Sequence, residues 1–342
     1  MQTRLPILHE TLLSDDFKTQ KISAINEDAY TLLVNHLSKV DAKKTAQPHL
    51  IVGESGSGKT FLMKRLYAEV RDNIADSLYP VAIEGKSLFS TDDIWAQCAS
   101  ILNINGEKDS FDAVVEWQQR NLKRLALFID NFDYYFERTG NSEQYELRGK
   151  VNKGGAPVIV ATSQKVLSAF TEYDAAFFDG FRITYLKPLS VHAVVEMKYD
   201  ELDISRLERI MAYMPKTVRS MLIAVGVLEQ SDDQTKDLAF LSDHFHSYFQ
   251  EKYDAASTQV QRILSVLSLS DSGLTLSEIR EMTGQENGKI SPYLKLMSDQ
   301  KLINKEAKTP RSGIYYITDS LFRLWLRYNT TPGYSFLQIG AR

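Results

Sequence analysis

The first half of the chain alternates short apolar runs with segments whose apolar residues follow helical spacing. The apolar runs predict β-strands at residues 49–52, 78–83, 125–129, 158–161 and 183–186. The segments between them, such as 92–102, predict amphipathic helices, and a further helix is expected over 24–45, before the first strand. Strands that alternate with helices predict an α/β fold, with a parallel sheet covered on both faces.

The pattern changes after Pro188, where strands give way to helical spacing. Three helices are predicted at 191–199, 204–213 and 216–228, and a polar loop separates them from a fourth at 238–253. The last part reads as three helices and two short strands, at 258–269, 276–283, 289–299, 302–303 and 314–317. A turn-rich segment, 305–313, separates the two strands, so this order predicts a helix-turn-helix with a β-wing, a winged helix.

Composition narrows the class of protein. Of the 342 residues, 43% are hydrophobic and 25% are charged, as in globular proteins. No apolar run reaches the length of about 18 residues that a membrane span needs. The N-terminus lacks the apolar run of a signal peptide, and the single cysteine, Cys98, cannot form an internal disulfide, so we expect a cytoplasmic protein without a membrane partner. A net charge of -4 argues against a protein whose whole surface binds nucleic acid, although one domain can still have a local basic face.

The strand at 49–52 leads into a complete phosphate-binding motif. The motif is Gly53-Glu54-Ser55-Gly56-Ser57-Gly58-Lys59-Thr60, followed by Phe61, and an amphipathic helix comes after it. Its glycines allow backbone N–H groups to face the phosphates of ATP, while Lys59 reaches the β- and γ-phosphates. Thr60 supplies a hydroxyl ligand to Mg²⁺. These residues, Gly53 to Phe61, are therefore the predicted nucleotide-binding residues.

A second strand, 125–129, delivers Asp130, which can hold the magnesium ion through water. The next residue, Asn131, cannot accept a proton, so hydrolysis of ATP is expected to be slow. Asp133 either takes over the role of base or caps a helix. The strand at 158–161 ends at Thr162 and Ser163, and one of these two hydroxyls is expected beside the γ-phosphate.

The order of these motifs resembles that of AAA+ ATPases on the initiator (origin-recognition) and STAND side of the superfamily. The resemblance extends roughly from Pro48 to Tyr328, and its specific segments are Pro48-His49-Leu50, Asp130-Asn131-Phe132-Asp133, Leu186-Lys187-Pro188-Leu189-Ser190 and the stretch from Tyr315 to Trp325. The sequence departs from the family at Asn131, where a glutamate is usual, and at Met214, where a glycine is common.

The resemblance implies further roles. It makes Thr162 or Ser163 the sensor 1 residue and Arg219 the sensor 2 arginine of a helical lid, the other interpretation of Arg219 being a solvated surface arginine. Arg148 and Arg182 are the candidates for an arginine finger that reaches a neighbouring subunit. The predicted catalytic residues are thus Lys59, Asp130, Asp133, Thr162 and Arg219, the metal ligands are Thr60 and Asp130, and the cofactors are ATP and Mg²⁺.

The expected architecture has five segments: a lead-in with a helix (1–46), a parallel-sheet P-loop (AAA+) α/β domain (47–187), a helical lid (188–252), a winged helix (253–329) and a tail (330–342). We expect the winged helix to contact double-stranded DNA through Asn287, Lys289, Ser291, Lys295, Lys305, Lys308 and Arg311. The positive charge of this surface is reduced by three acidic residues in the same stretch, Glu286, Asp299 and Glu306.

Two functions are compatible with these features. In the first, the protein is an ATP-dependent switch on DNA, of the initiator, transposition-regulator or defence type, that assembles as a homo-oligomer. In the second, it is a signalling ATPase whose winged helix holds an ADP-bound closed state and docks a protein partner instead of DNA.

Overall fold

The computed structural model of the protein describes residues 26–40, 46–104, 109–189, 203–230, 233–309 and 312–330. The predicted helix at 191–199, the side chain of Lys308 and all of Arg311 lie outside this description. The described residues form two compact units. The first contains those up to Leu189 together with Thr217–Arg219, and the second contains the rest. No helix of the described chain has both the length and the apolar character that crossing a membrane requires.

The first unit is an α/β domain. Its strands are β1 (His49–Val52), β2 (Leu78–Glu84), β3 (Arg124–Asp130), β4 (Val158–Ser163) and β5 (Arg182–Tyr185). Its helices are α1 (Glu27–Leu37), α2 (Lys59–Asn73), α3 (Thr91–Ile101), α4 (Ser110–Asn121), α5 (Asp133–Arg138), α6 (Asn141–Val151) and α7 (Ser168–Thr171), with a 3₁₀ turn at Gly85–Ser87. All the predicted strands are therefore present, within two residues of their predicted ends.

The five strands form one parallel sheet in the order β2-β3-β4-β1-β5. In the three central strands, β1, β3 and β4, alternate residues enter two separate cores, one on each face. In β3, Leu125, Leu127 and Ile129 enter one core, and Ala126 and Phe128 enter the other. This double burial explains why the strands read as continuous apolar runs in the sequence. Because β4 lies between β1 and β3, the residues that follow these three strands meet at one edge of the sheet.

The helices of this unit differ from the prediction in two ways. The helix expected over 24–45 ends at Leu37, where the turn of Ser38 and Lys39 begins. Helices were predicted between the strands, but bounds were given only for 92–102, so α4, α5 and α6 were not individually located. Their sequences are mostly polar, and α6 buries only Gln144, Leu147 and Val151, so hydrophobic periodicity is weak there.

The second unit begins with α8 (Ile204–Met211) and continues in α9 (Val218–Gln230), whose first two residues belong to the first unit. It then has α10 (Asp237–His244) and α11 (His246–Asp254). The prediction of a single helix over 238–253 is wrong, because the backbone leaves the helical conformation at Phe245, with φ −101° and ψ 10°. The Phe245 side chain is buried, and its ring lies 6.0 Å from that of Phe249. Burial of this ring therefore takes precedence over continuity of the helix.

The C-terminal elements are α12 (Thr258–Ser268), β6 (Leu274–Thr275), α13 (Leu276–Thr283), α14 (Asn287–Asp299), β7 (Ile303–Thr309), β8 (Ser312–Ile317) and α15 (Ser320–Thr330). The strands form an antiparallel sheet in the order β6-β8-β7. The first strand is longer than the predicted 302–303, because Lys305, Glu306 and Ala307 pair with β8 instead of belonging to a turn. This arrangement is consistent with a winged helix.

Candidate nucleotide-binding site

The loop between β1 and α2 depends on glycine at two positions. Gly56 has φ 83° and Gly58 has φ 94°, in the left-handed region that residues with a side chain rarely adopt. A Cβ atom on Gly56 would also lie 3.0 Å from Cβ of Arg219. Gly58 directly precedes the first residue of α2, so the loop ends at the amino terminus of a helix, where unpaired N–H groups attract anions.

Lys59 lies beneath this loop. Its ammonium group donates hydrogen bonds to the carbonyl oxygens of Gly53, at 2.6 Å, and Glu54, at 2.8 Å. Burial lowers the pKa of this ammonium from its ordinary value, and the charges of Asp130 and Asp133 act in the opposite direction. The lysine is thus held ready for an anionic group, since phosphate would replace the two neutral carbonyls with charged acceptors.

Two other side chains of the loop region add polar groups. Among the described residues, the buried Oγ of Ser57 has no hydrogen-bond partner. Asn26, the residue before α1, donates from Nδ2 to the carbonyl of Ser57 at 3.2 Å. The sequence offers no motif that would have drawn attention to Asn26, because it reaches the loop from 31 residues away.

Asp130 lies at the end of β3 and accepts hydrogen bonds from two hydroxyl groups. Thr60 Oγ1 donates to Oδ2 at 2.7 Å, and Thr162 Oγ1 donates to Oδ1. A carboxylate and a hydroxyl at this separation are the hard oxygen ligands that Mg²⁺ prefers, and they lie beside the phosphate-binding loop. Thr60 and Asp130 therefore fit a magnesium ion, which would neutralise phosphate charge there.

The structure also separates Thr162 from Ser163, which the sequence could not do. Thr162 contacts Asp130, whereas the Ser163 hydroxyl bonds to the Lys165 carbonyl at 2.5 Å, in the turn that follows β4. Thr162 is therefore the hydroxyl that belongs to this constellation.

Asn131 follows Asp130 in the left-handed region, with φ 57°. Asparagine tolerates this conformation better than most residues. Its backbone N–H donates to Thr162 Oγ1 at 2.9 Å, and its side-chain Nδ2 donates to Oε1 of Glu84 at 3.0 Å. Glu84 ends the neighbouring strand β2, in register with Asp130. Sequence reasoning missed Glu84, although its place at the end of a parallel strand beside β3 is a signal that could have identified it.

Gly85 permits the close approach of β2 to this part of β3. A Cβ atom at this position would overlap the carbonyl oxygen of Asn131 and lie 2.7 Å from its carbonyl carbon and 2.8 Å from the Asp130 oxygen. Such distances are too short for any side chain. The absence of a side chain at Gly85 therefore allows Glu84 to lie beside Asn131.

Asp133 is the first residue of α5, and Phe132 occupies the cap position, so the helix-cap interpretation of Asp133 is wrong. Asp133 is 5% exposed, and no described residue bonds to its Oδ1. Burial raises the pKa of Asp133 from its ordinary value.

The three candidate arginines occupy different places. The backbone N–H of Arg219 donates to the carbonyl of Gly56 at 3.1 Å, so this residue touches the phosphate-binding loop. Arg148 donates from Nη1 to the carbonyl of Ala176 at 2.6 Å. Arg182 begins β5 and is the register partner of His49, the first residue of β1. It therefore lies at the amino-terminal end of the strands, whereas the loop follows their carboxyl-terminal end.

The sequence and the fold can now be compared with known proteins. Residues 42–168 match the family model described as AAA domain. This part of the chain is similar to AAA domains. The matched residues include the phosphate-binding loop, Asp130 and Thr162. No curated protein matches the chain at a significant level.

Two solved structures share the fold of the AAA domain and of the elements that follow it. The ORC1 protein of Aeropyrum pernix, solved in complex with DNA, is 12% identical, with a TM-score of 0.51 over 90% of this chain and 96% of that one. The ORC2 protein of Aeropyrum pernix, solved as ADPNP-ADP complexes, is also 12% identical, with a TM-score of 0.52 over 88% and 93%. At this identity the likeness concerns the fold alone.

The side chains predicted to contact DNA lie on α14 and the strand after it. Helix α14 buries Ile290, Leu294 and Met297 and exposes Lys289 and Lys295 on its other sides. In β7, Lys305 is exposed, and its ammonium lies 5.5 Å from the centre of the Tyr315 ring. Ser291 is exposed too, but Asn287 and Lys308 are described only by their backbone.

Proposed function

We propose that the protein binds ATP with Mg²⁺, hydrolyses it slowly, and acts as a nucleotide-dependent switch on double-stranded DNA. The contact of Thr60 and Thr162 with the two oxygens of Asp130 carries the nucleotide part of this proposal. This contact brings together the end of the phosphate-binding loop, the end of β3 and the end of β4. Thr60 and Asp130 are the proposed magnesium ligands, and Lys59, Thr162 and Arg219 the proposed phosphate contacts.

The switch follows from the position of Arg219. Its backbone contacts Gly56, and its charge is close enough to Lys59 to lower the pKa of that ammonium. A γ-phosphate between two cations would relieve their repulsion, whereas ADP would relieve less of it. The start of α9 therefore responds to which nucleotide is bound.

DNA as the partner is supported by the exposed Lys289, Lys295 and Lys305, and by the likeness in fold to a protein solved with DNA. Lysines on a helix and an adjoining strand can neutralise phosphates of the backbone. We propose the boundaries 47–187, 188–252 and 253–329 for the ATPase domain, the lid and the winged helix, and a homo-oligomer as the assembled form.

Docking of a protein partner is the second candidate. Leu296 is 45% exposed on α14, beside Lys295, and Asp299 and Glu306 place negative charges in the same part of the chain. An exposed leucine among mixed charges is more typical of a protein interface than of a DNA interface.

The deciding experiment measures binding of a plain DNA duplex by fluorescence anisotropy, with ATP, with ADP and without nucleotide. The duplex has about 30 base pairs, roughly three helical turns. We expect binding whose affinity depends on the nucleotide. The Lys59→Ala variant should lose both ATP binding and this dependence, whereas Lys64→Ala, an exposed lysine of the same helix, should keep them. Absence of duplex binding in all three states would favour a protein partner.

A further inference from the structure

The residue after Asp130 is an asparagine, and the nearest strand offers a carboxylate to it. We propose that Glu84 is the general base for hydrolysis of ATP and that Asn131 is a positioning residue for it. This inference rests on the proposed ATPase activity. It also assigns a role to a residue that belongs to neither the phosphate-binding loop nor β3.

The hydrogen bonds of Glu84 leave one of its oxygens available. Asn131 Nδ2 donates to Oε1 at 3.0 Å, and the backbone N–H of Lys86 donates to the same atom at 3.2 Å. Within the described part of the chain, Oε2 accepts no hydrogen bond. The carboxylate is exposed, so water can reach Oε2 while Oε1 holds the group in place.

Asn131 links this carboxylate to the metal-binding residues. Its backbone N–H bonds to Oγ1 of Thr162 at 2.9 Å and to Oδ1 of Asp130 at 3.2 Å, while its side chain extends to Glu84. The pair also rests on fixed backbone, because Glu84 and Asp130 are register partners and Gly85 closes the gap between the strands. The base is thus held by Asn131, whose backbone is itself bonded to the proposed metal ligand Asp130.

The reaction balances with these groups. A water molecule attacks the γ-phosphorus with an oxygen lone pair, the bond from this phosphorus to the oxygen bridging to the β-phosphate breaks, and ADP leaves with the electron pair. Oε2 of Glu84 takes one proton from the water and later releases it to solvent. Asp133 is less suited to this role, since the residue is only 5% exposed and the base must be accessible to the attacking water.

The Glu84→Gln variant tests the proposal. We expect turnover to fall about 100-fold or more, the usual contribution of a general base, while ATP affinity stays within about threefold. Nucleotide extracted from the purified variant after incubation with ATP should be ATP, whereas wild-type protein should contain ADP. Glu116→Gln removes an exposed carboxylate that pairs with Arg120 on α4, and it is the matched control with wild-type turnover.

Exchange of the two side chains separates a base from a structural role. In Glu84→Gln/Asn131→Glu the carboxylate and the amide trade strands, so turnover should recover to within about tenfold of wild type. A double variant no faster than Glu84→Gln, or a single Glu84→Gln variant with wild-type turnover, would overturn the proposal. Loss of turnover in Asp133→Asn with normal turnover in Glu84→Gln would assign the base to Asp133.

The outcomes also distinguish this inference from the proposed function. If wild-type protein does not bind ATP, the proposed function fails. If it binds ATP but has no measurable turnover, nucleotide binding stands and the assignment of Glu84 is wrong. Thermal unfolding of each variant shows that the comparison is made between folded proteins, and the exchange variant serves if Glu84→Gln alone does not fold.

Discussion

The hydroxyl of Thr60 and the carboxylate of Asp130 are joined by a hydrogen bond of 2.7 Å, although 70 residues separate them in the chain. Thr60 lies in the first turn of α2, and Asp130 ends a strand that is not adjacent to β1. The bond therefore shows that the start of α2 and the end of β3 lie close enough for Thr60 and Asp130 to bind one metal ion. Its consequence is a measurable dependence on magnesium.

Replacement of Asp130 by alanine should remove this dependence. We expect ATP affinity to be nearly the same with and without Mg²⁺ in Asp130→Ala, and turnover to fall about 100-fold or more, since the carboxylate can no longer hold the ion. Isothermal titration with ATP in both conditions gives the result. Asp112→Ala removes an exposed carboxylate of α4 and should behave as wild type. An unchanged magnesium response in Asp130→Ala would remove Asp130 from the metal site.

Two glycine-to-alanine substitutions should change stability in opposite directions. Gly85→Ala is expected to lower the free energy of unfolding by about 1–3 kcal/mol, because the added methyl group overlaps backbone atoms of Asn131. Gly149→Ala, within α6, should raise it by about 0.5–1 kcal/mol, since no described atom lies within 4 Å of the new methyl group and alanine favours helix. Urea unfolding measures both. A neutral Gly85→Ala would mean that β2 can move away from β3 without cost.

Stability should fall in mild acid because of His49. This side chain begins β1, is fully buried, and has no described hydrogen-bond partner at either ring nitrogen. Burial first, and then the charges of His36 and Arg182, lower its pKa from 6.5 to about 3. The folded state thus favours the neutral ring, so this contribution is complete above pH 6.5 and is lost as the pH falls toward 3.

The expected loss attributable to His49 is about 1.4 kcal/mol for each pH unit below the ordinary pKa of the ring. Urea unfolding of wild-type protein and His49→Leu between pH 7 and pH 5, about one to two units into this window, should show a shallower slope in the variant. Equal slopes would mean that other groups cause the acid sensitivity.

Binding of duplex DNA should depend on salt through α14 and β7. Each lysine that neutralises a phosphate adds about 0.9 to the slope of log affinity against log salt. Replacement of Lys295 and Lys305 by alanine should therefore reduce the slope by about two and leave turnover without DNA unchanged. Lys153→Ala/Lys236→Ala removes two exposed lysines elsewhere and is the control. The same slope in both double variants would favour a protein partner.

The sequence predicted the strands and the phosphate-binding residues because both have strong local signals. The three central strands, β1, β3 and β4, are buried and have continuous apolar runs, and the glycines of the loop stand at fixed spacing before Lys59. The break at Phe245 and the bounds of helices α4 to α6 were not predicted, since each depends on which side chains the rest of the protein buries. Glu84 was missed for a related reason, as its partner Asn131 is 47 residues distant and only the register of β2 and β3 brings them together.

The position of β4 also determines when the molecule can first acquire its nucleotide site during synthesis. The ribosome completes β1 and β3 before β4, yet β4 must be inserted between them to join the phosphate loop to Asp130. About 110 residues separate Val52 from Ser163, which corresponds to roughly 6 to 22 seconds of translation. Throughout that interval β1 lacks its partner strand β4, and β3 lacks the same partner from the time that it is made. The nascent chain therefore gains no stability from bound nucleotide until β4 has been made.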